Sequence, residues 1–373
     1  MVRFSILSLL ILSLLSCTKK EQDQPKKTLY LTTSANDVYA FNLAEKKLLW
    51  HVEAFNKEEN DEVNFFTVDE KHLTKAYIDG SIIQYDKKTG NKVWEIKDTD
   101  GPDAKLYNFD FNEVAFRLFY QYPLVVNGNL IFANSHGEIK SINIATKKVN
   151  WIYYNPNIIY SSPKVVKNLV MVSLNGSMIA IDIKTGKKVS SVNYDDNEPV
   201  TNEMVIDGGN IFTLSQNNLL SSFTPEYNSI WDFKADNTSQ SSTHNMFITD
   251  KAVYFGGSTL FAVDKEKGEL LWKTELYKDD NALLSVAKCD DGVMVSTRKE
   301  LLKLDDDGKI ITRKKLASEA YGMLYLANNN YYYVCQNGVM YSIDAGLQHE
   351  AVFYKGINTD PEHRVDNTYM FAE

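Results

Sequence analysis

The 373-residue chain has little cysteine: only Cys17, Cys289 and Cys335. No two of them form a CxxC or an adjacent pair. A clustered Cys/His zinc site, a haem attachment motif and a disulfide-dense framework are thereby excluded. Cys289 and Cys335 fall in different strand-like runs, and their spacing leaves open whether they are two small core residues or a disulfide. Histidine is also sparse and scattered: His51, His72, His136, His244, His349 and His363 show no H-E-x-x-H or other paired spacing, so each reads as a surface residue. Basic stripes are missing. Lys and Arg number 40 against 49 Asp and Glu, for a formal charge of −9, with both signs interspersed. That excludes a nucleic-acid footprint. Long hydrophobic runs are absent except Phe4 to Leu15, which is too short for a permanent membrane-spanning helix.

That one run has a role of its own. Arg3 precedes it and Leu14-Leu15-Ser16-Cys17 closes it, which is the pattern of a secretory signal peptide. Its last four residues resemble a bacterial lipobox, so residues 1–16 are expected to be removed and Cys17 to carry a lipid. Residues 17–27 follow as a charged tether with Pro25 and no hydrophobes after the Cys. Loss of Arg3 takes the mature chain to −10.

From residue 28 to 373 one phrase returns eight times. A β-type run ends in Asn or Asp, a Lys/Gly-rich turn follows, and a second run comes after it. Clear copies read VYAFNLAEKKLLW, IIQYDKKTGNKVW, IKSINIATKKVNW, MIAIDIKTGKKVS and LFAVDKEKGELLW. The marker residues are Asn42, Asp86, Asn143, Asp182, Phe223, Asp264, Asp305 and Asp344. Most intervals lie near 40 residues. Within a copy, short β-prone runs are separated by pairs such as Asp79-Gly80, Asn127-Gly128, Asn175-Gly176, Asp291-Gly292 and Asn337-Gly338, which suit tight hairpins. Four short strands per 40-residue unit predict an all-β chain: a single eight-bladed β-propeller of four-stranded antiparallel blades. Length alone would suggest two domains, but the repeats run without a compositional break.

All five tryptophans, Trp50, Trp94, Trp151, Trp231 and Trp272, sit eight residues beyond a marker. One ligand site cannot use five residues spaced round a ring, so they are expected to pack blade against blade. Thr28 to Thr33 already resembles the second strand of a unit. The β-prone tail Asp366 to Ala372 is then the natural donor of the missing first strand, closing the ring and leaving no unsatisfied edge.

Two stretches break the rhythm. About 16 extra residues lie between Asp86 and Asn143, chiefly in Asp98 to Tyr120. They carry Tyr107, Phe109, Phe111, Phe116, Arg117, Phe119 and Tyr120. Such a loop on a rigid ring either binds a partner or folds back on blades 2 and 3. A polar stretch, Lys234 to His244, is the second break.

Ala180-Ile-Asp182 with Lys184-Thr185-Gly186-Lys187, Lys88-Thr89-Gly90 leading to Trp94, and Ala262-Val-Asp264 with Gly268 and Trp272 resemble the pyrroloquinoline-quinone-type, or quinoprotein-dehydrogenase-like, propeller repeat. That repeat serves enzymes and scaffolds. In the enzymes, the resemblance implies a quinone held between a Trp floor and a disulfide of adjacent cysteines, beside calcium. This chain has no adjacent cysteines. Its Asp305-Asp306-Asp307-Gly308 run lacks calcium-loop spacing. The chain is more similar to the eight-bladed lipoprotein scaffold of the outer-membrane β-barrel assembly machine. That resemblance implies no enzyme activity and no cofactor. It implies a monomeric, lipid-anchored propeller of the outer membrane, on its periplasmic or its surface side, docking an envelope protein such as the barrel-assembly subunit. A glycan-, peptide- or small-molecule-binding propeller is the alternative, and a quinoprotein dehydrogenase a further one.

Overall fold

The computed structural model describes residues 26–33, 35–53, 66–77, 80–97, 123–134, 137–155, 161–174, 177–193, 204–215, 218–236, 246–277, 283–289, 291–359 and 369–373. They form eight four-stranded antiparallel sheets and no helix: an eight-bladed β-propeller. Blade 1 combines Tyr369–Ala372, Thr28–Thr32, Val38–Asn42 and Lys47–Val52, in that order from the inside outward. Blades 2 to 8 are continuous in sequence and span 66–97, 124–154, 164–193, 205–234, 247–275, 283–315 and 320–355.

The ring is closed by the C-terminal strand. Leu29 to Thr32 pair antiparallel with Ala372 back to Tyr369. The seam is reinforced beyond the ladder: the Lys27 and Thr28 N–H groups donate to the Glu373 carbonyl at 2.5 and 3.0 Å. The Lys87 ammonium of blade 2 meets the Glu373 carboxylate at 2.6 Å. All these bonds use residues 26–373, so the eight sheets are complete without the first 25 residues.

Both faces of each second and third strand are covered by neighbouring blades. Tyr331, Tyr332 and Tyr333 are therefore consecutive and all buried, although a half-buried strand would alternate. The outer strands are half exposed. Each meets the third strand across a β-bulge, which twists the free edge and blunts it against further pairing.

The marker residue ends the third strand and caps the turn that follows. Asp182 Oδ1 accepts from the Lys184 N–H, the Thr185 N–H and the Thr185 hydroxyl at 3.1, 2.8 and 2.8 Å. Asp86 does the same with Lys88 and Thr89, and Asn143 with Thr146. Blade 5 requires a correction of one residue. Its bulge lies between Ser222 and Phe223, and Thr224, not Phe223, holds the capping slot. The Thr224 hydroxyl accepts from the Asn228 N–H at 3.2 Å, and its carbonyl from the Tyr227 N–H at 2.9 Å. Of the glycine pairs, Asn127-Gly128 turns with φ of 49° and 72°, as a tight hairpin requires. Gly292 has φ of 135° and differs: it begins a strand where an added Cβ would lie 2.0 Å from the Leu304 carbonyl oxygen.

Each tryptophan clasps the next blade. The indole N–H of Trp50, Trp94, Trp151, Trp231 and Trp272 donates to the carbonyl of Lys87, Ile144, Ile183, Lys265 and Asp306. Each acceptor directly follows the neighbouring marker. The ring lies flat against that neighbour's turn. Gly90, Gly186, Gly268 and Gly308 sit beneath Trp50, Trp151, Trp231 and Trp272, where a Cβ would approach to 2.8 Å or less. Beneath Trp94 the turn residue is Lys147, whose ammonium lies 5.7 Å from the indole. Blades 4 and 7 pair Ser190 and Thr312 at the Trp position. The turns facing them supply bulk instead: Tyr227 and Leu347, both buried and both with positive φ.

Candidate functional site

Because strands alternate in direction, the ring has two unlike faces. One gathers the turns between first and second and between third and fourth strands. The other gathers the hairpins between second and third strands and all connections between blades; we call these the turn face and the loop face. The long insertion is an inter-blade connection, since blade 2 ends at Lys97 and blade 3 begins at Leu124. Tyr107, Phe109, Phe111, Phe116, Arg117, Phe119 and Tyr120 lie outside the described residues, as do Cys17 and residues 237–245.

Near the loop face the interior is not uniform. Among the described residues the buried charged residues are Asp37, Lys75, Lys87 and Lys140, all in blades 1 to 3. In blades 4 to 8 the buried polar residues are Ser, Thr and Asn alone. Lys87 belongs to the closure seam on the turn face; the other three lie toward the loop face, at consecutive seams.

At the seam of blades 8 and 1, Asp37 Oδ2 accepts from Tyr39 Oη at 3.2 Å, His51 Nε2 at 2.8 Å and Asn358 Nδ2 at 3.2 Å. The Asn358 N–H in turn donates to Tyr39 Oη at 2.9 Å. The His51 ring stacks on Tyr39 with centroids 4.2 Å apart and planes 6° from parallel. Burial first, and the Asp37 charge with it, raises the Tyr39 phenol far above its ordinary value. The cluster thus orients one imidazole and keeps its phenol protonated.

At the seam of blades 1 and 2, Leu73, Lys75 and Tyr77 share one strand face, and Leu73 and Tyr77 pack against Tyr30, Val38 and Trp50 of blade 1. The Lys75 ammonium lies 4.9 Å from the Tyr77 ring centroid, and Tyr77 and Tyr85 share a hydroxyl hydrogen bond of 2.7 Å. At the seam of blades 2 and 3, Lys140 Nζ meets Glu138 Oε2 at 2.8 Å, with the side chains 5% and 15% exposed. Asn134 Nδ2 donates to the same carboxylate at 2.8 Å. Isolating such charges from water costs several kcal/mol each before pairing offsets it. The remaining seams have apolar clusters, as between blades 3 and 4, and ion pairs that are less deeply buried, as between Lys265 of blade 6 and Asp207 of blade 5, 15% and 43% exposed. Charge buried this deeply in one sector of the ring marks the sector as a functional candidate. It is also where the insertion leaves and rejoins the ring.

These residues carried a signal in the sequence that strand periodicity hides. A charge in an ordinary strand reads as its solvent side. Once every second and third strand has both faces covered, Lys75 and Lys140 have no solvent side to occupy.

The other histidines and the cysteines are placed differently. His72 bonds Asp69 at 3.4 Å and His349 bonds Asp344 at 2.5 Å, both at turn-face caps. Cys289 and Cys335 are buried free thiols. Burial pushes the Cys335 thiol up to about 12, which makes it unreactive. Among the described residues no group of three or more His, Cys, Asp or Glu could hold a metal ion.

The geometry is that of an eight-bladed propeller of repeated four-stranded sheets, and comparison gives its family. A family model described as outer membrane protein assembly factor BamB matches residues 24–151, 111–274 and 256–348. The chain belongs to that family. No curated protein matches it. Among solved structures it is similar to BamB from Moraxella catarrhalis, with a TM-score of 0.65, 17% identity, and 84% of this chain and 90% of that one covered. It is similar also to quinohemoprotein alcohol dehydrogenase from Comamonas testosteroni (0.63, 12%, 90% and 74%) and to the computationally designed Ika8 protein (0.59, 13%, 77% and 85%). At these identities the likeness is one of fold. The residues of this chain do not fit a quinone site of the dehydrogenase kind. No two cysteines are adjacent, and every tryptophan spends its N–H and one ring face on a blade seam.

Proposed function

We propose that the protein is a non-catalytic envelope scaffold, anchored through Cys17 to the outer membrane on its periplasmic side. Its loop face over blades 8, 1, 2 and 3 docks a protein partner of outer-membrane protein assembly. The carrying observation is the confinement of buried charged residues to blades 1–3, three of the four lying toward the loop face, on which the 98–122 segment also joins the ring. Membership of the BamB family supports the partner class. A rigid closed ring suits such a role, because it presents loops without deforming. The aromatic and Arg-containing segment has the composition of a binding anchor.

The test is affinity capture from gently solubilised native membranes, with the lipoprotein cross-linked in place. Recovery of the barrel-assembly subunit is the expected result. Its reproducible absence, with another envelope protein recovered instead, would overturn the assignment. Arg117→Ala with Phe116→Ala is expected to weaken capture and leave the urea midpoint unchanged. An equal loss of stability would assign the segment to packing.

A further inference from the structure

The turn face is strongly polarised. Its third-to-fourth-strand turns read AEKK (44–47), KKTGNK (87–92), ATKK (145–148) and KTGKK (184–188) in blades 1 to 4. In blades 5 to 8 they read PEYN (225–228), KEKGE (265–269), DDGK (306–309) and AGLQH (345–349). The first four hold ten lysines and one acid; the last four hold three lysines and five acids. In a chain of net charge −9, these turns make that half of the face net basic, although Asp69, Glu70, Asp86 and Asp182 lie on it too. Lys46, Lys88, Lys148, Lys184, Lys187 and Lys188 are all exposed and form no ion pair among the described residues.

We propose that this half of the turn face rests on anionic lipid headgroups. Three observations select that occupant. The chain enters the ring here: the Lys26 N–H donates to Asn328 Oδ1 at 2.8 Å, in the turn between the first and second strands of blade 8, and the Leu43 N–H donates to the Lys27 carbonyl at 2.9 Å. Eight residues separate Lys26 from Cys17, a reach of at most about 30 Å when extended. A lipid at Cys17, as the functional reading above requires, would hold this face toward the bilayer and the loop face away from it. The cations are also lysines throughout, with none of Arg117, Arg298, Arg313 or Arg364 among them. Protein interfaces favour Arg and aromatic residues and deplete Lys. Flexible ammonium groups suit a diffuse layer of phosphates.

The test uses the chain from residue 18 onward, which keeps every sheet of the ring. Its partitioning is measured by sedimentation with phosphatidylcholine vesicles, with and without phosphatidylglycerol. Binding only to the anionic vesicles, weakened by salt, is expected. Each lysine near such a surface contributes about a fivefold factor. Replacing Lys88, Lys148, Lys187 and Lys188 by Gln should therefore lower partitioning about a hundredfold or more, with the urea midpoint unchanged. Replacing Glu266, Glu269 and Asp307 by their amides should not lower it. Equal binding to both vesicle types, or an unaffected lysine variant, would overturn the proposal. Displacement by inorganic phosphate at matched ionic strength would overturn it too, because that would assign isolated phosphate sites. Loss of partner capture by the lysine variant with unchanged partitioning would make the face a protein interface. Failure of the scaffold reading is separable: partner capture then fails while the soluble chain still partitions onto anionic vesicles.

Discussion

The clasp between Trp151 and Gly186 allows a quantitative test of how neighbouring blades are locked. Gly186 has φ of 69°, and a Cβ there would lie 2.7 Å from Trp151 Cγ and Cδ2. Gly186→Ala has two separable costs. The left-handed backbone costs an L-residue roughly 1–2 kcal/mol. Forcing a methyl against a closely packed ring costs about 1–3 kcal/mol more. Only the second depends on the indole. Trp151→Ala alone should cost about 3–5 kcal/mol, since Trp151 is 7% exposed and its N–H would leave the Ile183 carbonyl. In that background Gly186→Ala should cost only the backbone term. The coupling read from the four urea midpoints should therefore be about 1–3 kcal/mol, the double variant being more stable than the sum of the singles. The ring has already made the complementary exchange: where Ser190 and Thr312 replace Trp, the facing residues are Tyr227 and Leu347. Additivity within about 0.5 kcal/mol would refute the steric account of the glycine.

Removing residues 369–373 deletes the first strand of blade 1 and the Lys87 ion pair, and should abolish cooperative unfolding, whereas removing residues 18–25 should leave it intact; circular dichroism melts compare the two. Glu138→Leu alone removes the carboxylate that meets the buried Lys140 ammonium and should cost about 3–5 kcal/mol. Glu138→Leu with Lys140→Met should recover most of that in urea titrations, and no recovery would mean that the pair itself is required. The Thr185 hydroxyl and N–H hold the Asp182 carboxyl below its ordinary range. Its stabilisation is then complete above the unfolded value near 4 and is lost as pH falls through the lower folded value. Asp182→Asn, which reproduces the natural Asn143 cap, should match the parent at neutral pH and lose less stability below about pH 4. Identical acid slopes would refute the assignment.

The fold was legible because its signals are local and repeated. Asn42, Asp86, Asn143, Asp182, Asp264 and Asp344 each end a third strand, and the same residue must cap each turn. Phe223 stands one residue early in blade 5, where the Thr224 hydroxyl replaces the carboxylate and the turn is one residue shorter. The exchange of Gly for Tyr227 and Leu347 opposite missing tryptophans was not legible, because each pair spans two blades. The candidate sector was only half visible. Its aromatic insertion announces itself by composition, but Asp37, Lys75 and Lys140 look like ordinary solvated charges until the architecture removes the solvent.

Closure by the last strand has a consequence for the life of the polypeptide. Thr28–Thr32 is made well before Tyr369–Ala372, which completes its sheet. The intervening length matters little at equilibrium, where doubling a loop costs only about 0.6 kcal/mol. It matters greatly in time. Until residues 369–372 emerge, Thr28–Thr32 keeps a bare row of amides and carbonyls open to any passing chain. A product interrupted anywhere after blade 1 keeps that row open for good. One sheet edge thus records whether synthesis has passed residue 372, where proteases and chaperones can sort closed rings from open ones.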